Sequence, residues 1–246
     1  MKQKIGFSVT LLLLVMLVMV VPVSAKTYEE NGFSYQVSNK QAVITGVVNV
    51  GDQLVIPDQL GGFPVTRIGD KALAKREMSK VTFPASLKRI NYAAFRDCKK
   101  LKEVLFPAGL KKLDERAFSG CTALTTVHFN NGLESIGDRA FSNCITLKKV
   151  ALSGRVKSIG IRAFEKCYKL SSIKLNKKLQ KLSRLAFYKV YAVKSITIPS
   201  GVKEIGDEAF SDCDKLAHVK FASGKTKLGD GVFYNCESLK KAVLPE

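Results

Sequence analysis

Histidine is nearly missing from this chain, which has two, His128 and His218, in 246 residues. Gly-x-x-x-x-Gly-Lys, paired Cys-x-x-Cys and Gly-x-Ser-x-Gly are missing altogether, which removes the common phosphate-cradling, metal-binding and nucleophile-elbow signatures. Acid is scarce as well: 21 Asp and Glu face 40 Lys and Arg, a formal charge of +19. Such an excess attracts polyanions and says nothing about fold. Beyond residue 25 there is no apolar run long enough to cross a bilayer, for which about 20 residues are needed.

The one long apolar run is at the start. Leu11 to Val21 is unbroken, is preceded by Lys2 and Lys4, and is followed by the small-residue pattern Val23-Ser24-Ala25. This reads as a secretory signal peptide, residues 1–25, cut after Ala25. Retention of Ile5 to Val23 as an uncleaved anchor is the alternative. No cysteine follows the run, which disfavours a lipoprotein anchor, and removing Lys2 and Lys4 leaves the mature chain at +17.

What is abundant is repetition. Phe95, Phe118, Phe141, Phe164, Phe187, Phe210 and Phe233 are each 23 residues apart, and Cys98, Cys121, Cys144, Cys167, Cys213 and Cys236 follow three behind six of them. A fixed period in the 20s predicts a solenoid, whose core grows coil by coil. Aligned on Ile68, Ile90, Leu113, Ile136, Ile159, Leu182, Ile205 and Leu228, the chain holds seven complete units and a partial eighth. In each, the Val-x-Phe alternation, as at Val104 and Phe106, predicts a strand, and the i, i+3 spacing of Ala-Phe-x-x-Cys-x-x-Leu predicts one or two helical turns. Asp70, Asp138, Asp207 and Asp230 are placed as N-caps of those turns. Pro84, Pro107 and Pro199 stop the strands.

Ile136-Gly137-Asp138-Arg139-Ala140-Phe141-Ser142-Asn143-Cys144 resembles the unit of the BspA-type leucine-rich repeat family. The resemblance runs from Gly51 to the C-terminus. It implies an α/β solenoid, a curved right-handed coil with short strands on the concave face and helical turns on the flank, over residues 51–246. Gly32-Phe33-Ser34-Tyr35, Leu54 to Pro57 and Gly61 to Val65 look like the family's N-terminal β cap, placed at 26–50, and first strand. The C-terminus, Pro245-Glu246, shows no polar cap, which leaves end-to-end self-association open. The resemblance also implies secreted or cell-surface proteins, several of them adhesins for host matrix proteins or other microbes.

Six cysteines in an exported chain usually mean disulfides. Here they share one column, and coils on a helical flank would stand roughly 10 Å apart, beyond disulfide reach. Val190 replaces cysteine in one unit, so buried free thiols are expected, with disulfides or metal ligation as the alternatives. The histidines, about four units apart, read as surface residues. No catalytic residue and no cofactor are expected.

The columns that the fold leaves free carry the candidate sites. In the strand, the residue between Val and Phe faces outward, giving Thr82, Leu105, His128, Ala151, Lys174, Thr197, Lys220 and Val243. The two places before Val add Lys80, Lys102, Lys148, Lys149, Lys194, Lys240 and Lys241, against one acid, Glu103. These lysines either keep the strand face soluble or form a groove for an acidic glycan, envelope polymer, DNA or acidic protein segment. No aromatic platform interleaves them, which argues against a dedicated nucleic-acid site. A second candidate interface follows the cysteine column: Ile145, Tyr168 and Tyr191 in successive units, with Tyr188 nearby, unless these pack locally. The expectation is an exported, non-enzymatic repeat protein that binds a macromolecule, as an adhesin or as a polyanion-binding envelope module. With no sortase motif and no second hydrophobic segment, it would be released or held by charge.

Overall fold

The computed structural model describes residues 26–152, 154–222 and 224–243, except for the side chains of 241–243. The signal-peptide reading and the uncapped C-terminus fall outside the described residues.

The chain opens with an antiparallel meander of β1 (Thr27–Glu30), β2 (Phe33–Ser38) and β3 (Gln41–Val47). Next come β4 (Gln53–Val55) and the hairpin of β5 (Gln59–Leu60) with β6 (Phe63–Ile68). Each later coil contributes one longer and one two-residue strand. These are β7 (Lys80–Thr82) and β8 (Arg89–Ile90), β9 (Glu103–Leu105) and β10 (Lys112–Leu113), and β11 (Thr126–His128) and β12 (Ser135–Ile136). They continue as β13 (Lys149–Ala151) and β14 (Ser158–Ile159), β15 (Ser172–Lys174) and β16 (Lys181–Leu182), and β17 (Ser195–Ile198) and β18 (Glu204–Ile205). β19 (His218–Phe221), β20 (Lys227–Leu228) and β21 (Lys241–Val243) complete the order.

Two parallel ladders result. The short strands form an unbroken one, β3-β6-β8-β10-β12-β14-β16-β18-β20, which ties the meander to the coils through β3. The repeat pattern did not announce this ladder, because each of its strands is a single polar–apolar pair such as Ser135-Ile136. The longer strands form the ladder that Val-x-Phe predicts, but in two pieces, β4-β7-β9-β11-β13-β15 and β17-β19-β21. Alternation follows directly: Val104 and Phe106 are buried while Glu103 and Leu105 are exposed.

Between the ladders lies a column of phenylalanines. From Phe95 to Phe210 the rings are fully buried. They stack face to face, with Phe95–Phe118 at 4.9 Å and 3°, and Phe164–Phe187 at 5.2 Å and 4°. The spacing is close to the 4.7–4.9 Å between paired strands, so one ring per coil continues the backbone repeat. A second row sets Phe83, Phe106 and Phe129 edge-on or tilted to the first, as Phe129 is to Phe141 at 77°.

The flank corrects the sequence reading. Among the described residues there is no helix, only turns. Two places per coil take a left-handed backbone, for example Arg139 (φ 52) and Asn143 (φ 59), or Arg162 (φ 55) and Lys166 (φ 58). Each such non-glycine residue costs about 1–2 kcal/mol, and it interrupts the run of right-handed dihedrals that a helix needs. The return is a cross-coil ladder. Arg139, Phe141 and Asn143 donate their N–H groups to Ile161, Ala163 and Glu165 of the next coil at 2.8 Å, while the alternate Ala140 and Ser142 bond three residues back.

The aspartates change role accordingly. Asp138 Oδ1 accepts from Ile161 N–H (2.7 Å) and Asp207 Oδ1 from Asp230 N–H (3.0 Å), each in the following coil. They brace one coil against the next and do not cap a helix.

Candidate functional site

The lysines of the strand face are positioned by the ladder itself. Lys102, Lys148, Lys194 and Lys240 recur every second coil, with Thr125, Ser171 and Ala217 between them. Two strand spacings separate neighbouring cations by roughly 9–10 Å, about one Debye length in physiological salt, which limits their mutual repulsion. Lys149 lies in register with Thr126 on one side and Ser172 on the other. Lys174 is beside Ala151, and Lys220 beside Thr197. Lys102, Lys148, Lys149, Lys174, Lys194, Lys220 and Lys240 are all exposed. None has a carboxylate within ion-pair distance among the described residues. Lys241 takes its backbone place in β21, and its side chain lies outside the description. The single acid of this face, Glu103, is engaged by His128 Nε2 at 2.9 Å. The N-terminal end of the same face also exposes two apolar side chains, Val55 and Leu105, each about two-thirds accessible (65% and 67%).

The other ladder is a built-in comparison, and one the column reading missed. It too carries cations, but acids are interleaved with them. Arg89 meets Asp114 at 2.7 Å, Lys181 meets Glu204 at 2.8 Å, and Lys111 and Lys112 approach Glu134 (3.8 Å) and Asp114 (3.6 Å). Aligning the two places before each Ile or Leu shows Glu134 and Glu204 among nine cations, and Asp114 follows Leu113. This ladder therefore pairs four of the nine cations in those places with carboxylates, whereas the strand-face lysines are paired with none among the described residues.

The structure brings two of the tyrosine candidates into direct contact. Tyr168 and Tyr191 stack on each other at 5.0 Å and 4°, so their inner faces are spent. Burial raises the Tyr191 hydroxyl above its ordinary pKa. Tyr188 lies under the ammonium of Lys189 (5.2 Å) instead, and Ile145 is half-buried.

All six cysteines are free, five of them buried and Cys236 half-buried. The spacing argument for this does not hold, because the flank is not helical and the coils repeat at strand distance. What each thiol does is donate to the backbone carbonyl at the phenylalanine place of the preceding coil, from Cys98 onto Leu73 to Cys236 onto Phe210, at 3.0–3.3 Å. Burial pushes the Cys144 thiol up to about 12 and raises Cys167 as well.

An unfolded thiol ionises near pH 8.5, so above that the unfolded chain sheds a proton that the folded chain keeps. The stabilisation is complete below about pH 8.5 and falls as pH rises towards 12, by about 1.4 kcal/mol per pH unit per thiol. Urea midpoints at pH 7.5 and 10.5 should show the decline, and Cys144→Val, which copies Val190, should lessen it. A wild-type midpoint indifferent to alkaline pH would contradict thiol burial.

Stacked coils with a parallel strand ladder on one face and a buried column of apolar residues define the leucine-rich repeat class. The model for the BspA type leucine rich repeat region matches residues 66–192 and 134–246, with six copies. The chain belongs to this family. Among solved structures it is similar to a leucine rich cell surface protein from Faecalibacterium prausnitzii A2-165, with a TM-score of 0.71 and 22% identity over 90% of this chain and 77% of that one. A T. pallidum leucine rich repeat protein gives 0.64 and 26% identity over 88% and 92%. One from Bacteroides ovatus gives 0.60 and 22% over 87% and 70%. None of the curated proteins matches it. No helix among the described residues is long and apolar enough to cross a membrane.

Proposed function

We propose that this chain is an exported, non-enzymatic interaction module of the cell surface or its surroundings, and that its cationic strand face docks an acidic macromolecule. One observation carries the reading. On the short-strand ladder Arg89, Lys111, Lys112 and Lys181 are ion-paired with Asp114, Glu134 and Glu204, while on the strand face the eight exposed lysines, from Lys80 to Lys240, have no carboxylate within ion-pair distance among the described residues. Keeping charge of one sign together is unfavourable for the isolated fold, and a partner of opposite sign relieves it. Export is supported by the apolar run before Ala25, and a surface setting by the F. prausnitzii neighbour.

Adhesin and polyanion-binding module are separated by salt. Binding of the purified protein to heparin and to a panel of host matrix proteins is to be measured at about 50 and about 500 mM salt. An adhesin keeps affinity for one matrix protein at high salt. A polyanion binder loses affinity for heparin steeply, with log K falling linearly in log salt. The exposed Val55 and Leu105 beside the lysines favour the adhesin, since apolar contact survives salt. Binding to neither class at low salt would refute the proposal.

A further inference from the structure

One arginine stands where the repeat places a thiol. Arg76 lies eight residues past Ile68, as Cys98 does past Ile90 and Cys144 past Ile136. It also makes the thiol's bond to the preceding element: Arg76 Nη2 donates to Val47 C=O at 3.0 Å, as Cys98 Sγ donates to Leu73 C=O at 3.1 Å. A thiol makes that bond without charge, whereas Arg76 brings a fork of further donors and a permanent positive charge. The fold uses one donor and leaves the rest.

Among the described residues, nothing compensates that charge. Arg76 is half-buried, and its Nε is buried without a hydrogen-bond partner. Nη1 makes no hydrogen bond among those residues, and no carboxylate there comes within ion-pair distance of the guanidinium. A partly desolvated cation without a counter-charge is costly. An anion held beside it removes that cost.

A cleft of about 530 Å³ opens on the flank at this place, within the roughly 300–1,000 Å³ of ligand pockets. Arg76 lines it together with Lys75, Glu77, Asp97, Lys99 and Lys100, and no apolar or aromatic side chain among the described residues does. Both carboxylates are already engaged, Glu77 by Lys100 at 2.8 Å and Asp97 by Arg96 at 3.2 Å. Lys75 and Lys99 are exposed and have no such partner among the described residues. Four cations against two acids leave an excess of two positive charges in the cleft. The ligand that matches is a dianion with several oxygens. A phosphate monoester carries a charge of about −1.5 to −2 at neutral pH and three strong acceptor oxygens. A guanidinium fork takes two such oxygens at once, and ammoniums take the rest as point charges. A carboxylate has one charge and leaves half the excess unmet. A free phosphate ion fills only a small part of the cleft, so room remains for the alcohol part of an ester.

We infer that this flank cleft binds a phosphate monoester, whose phosphoryl oxygens are held by Arg76, Lys75 and Lys99. None of the strand-face lysines lines the cleft. The site is therefore separate from the proposed docking face, and either reading stands or falls without the other.

The test titrates α-glycerophosphate, inorganic phosphate and acetate calorimetrically against the purified protein at physiological salt, where distant charges are screened. The ester should bind saturably and more tightly than inorganic phosphate, and acetate at least tenfold more weakly than the ester. Arg76→Lys keeps the charge and loses the fork, and should weaken the ester at least tenfold. Where that variant does not fold, Lys75→Asn with Lys99→Ser decides. Both positions are exposed, and asparagine tolerates the left-handed backbone at Lys75 (φ 59). This pair should also weaken the ester at least tenfold. The strand-face reversal Lys149→Glu, Lys174→Glu and Lys194→Glu should leave ester binding unchanged. No saturable binding of the ester, acetate binding as tight as the ester, or unchanged ester affinity in either cleft variant overturns the inference. So does an equal loss in the strand-face triple, which would mean attraction by net charge alone. Inorganic phosphate binding as tightly as the ester would overturn the ester assignment and make the ligand the free ion.

Discussion

Phe141→Ala should cost about 3–5 kcal/mol, the range for removing a fully buried phenylalanine side chain, and no other single truncation in the ring column should exceed it. The Phe141 ring is fully buried, stacks on Phe118 at 5.5 Å and on Phe164 at 5.3 Å, and receives Phe129 at its edge at 5.8 Å. Truncation therefore opens a void touching both neighbouring coils, and the backbone cannot collapse into it. Each coil is held to the next by cross-coil bonds such as Phe141 N–H to Ala163 C=O (2.8 Å). Whole-domain stability is typically about 5–15 kcal/mol, so the loss is a large fraction of it. In a quasi-one-dimensional array the damage is to two interfaces at once. The urea transition followed by circular dichroism should shift to lower denaturant and broaden as the two halves uncouple. Phe233→Ala is the control: its ring is only partly buried and, among the described residues, stacks on Phe210 alone, at 5.8 Å. It should cost less than half as much. Equal costs at the two positions would mean that the array does not transmit stability from coil to coil.

The contrast between these residues also shows what was legible before any coordinates. Phe141 and Cys144 announce themselves because an interior position common to all coils admits few side chains, so the 23-residue period is written in apolar letters. Val104 and Phe106 likewise reveal a strand, because burial alternates along it. Asp138 was visible as a constrained position, yet its role was misassigned. A short polar side chain before Ala-Phe satisfies a helix N-cap and a cross-coil brace equally well, and only Arg139 at φ 52 tells them apart. Arginine gives no hint of a left-handed backbone, and its position is imposed by the neighbouring coil rather than by local preference. The second ladder was hidden for a related reason. Two-residue strands such as Ser158–Ile159 are too short for a period to show. The break in the longer ladder before β17 was hidden too, since Ser195-Ile196-Thr197-Ile198 alternates as well as any strand in the chain. Pairing is a property of two coils, and a column alignment reads one residue type at a time. The lysines were legible as a column, but their lack of partners was not, because the partnered Lys181 and the unpartnered Lys174 look alike in sequence.

That lack of partners leads to the second large effect. The triple reversal Lys149→Glu, Lys174→Glu and Lys194→Glu should weaken heparin binding by at least 100-fold at low salt. A lysine at a polyanionic surface contributes about 1 kcal/mol, so three lost contacts amount to about 3 kcal/mol, or somewhat over 100-fold at about 1.4 kcal/mol per factor of ten. The three added carboxylates repel in addition. The slope of log K against log salt should become shallower by about three counterions. Because none of these lysines has a carboxylate partner among the described residues, reversing them breaks no ion pair there, and the melting temperature should stay within a few degrees. A matched triple on the other side, Lys111→Glu, Lys157→Glu and Lys203→Glu, alters net charge equally on exposed residues near the short-strand ladder. If binding follows net charge alone, both triples lose affinity equally. If the strand face is the docking surface, the second triple keeps most of its affinity when the comparison is repeated at about 0.15 M salt, where a charge beyond about 8 Å is largely screened from a ligand on the opposite face. An equal loss in both would reduce the lysine columns to a solubility device and remove the face from the proposed function.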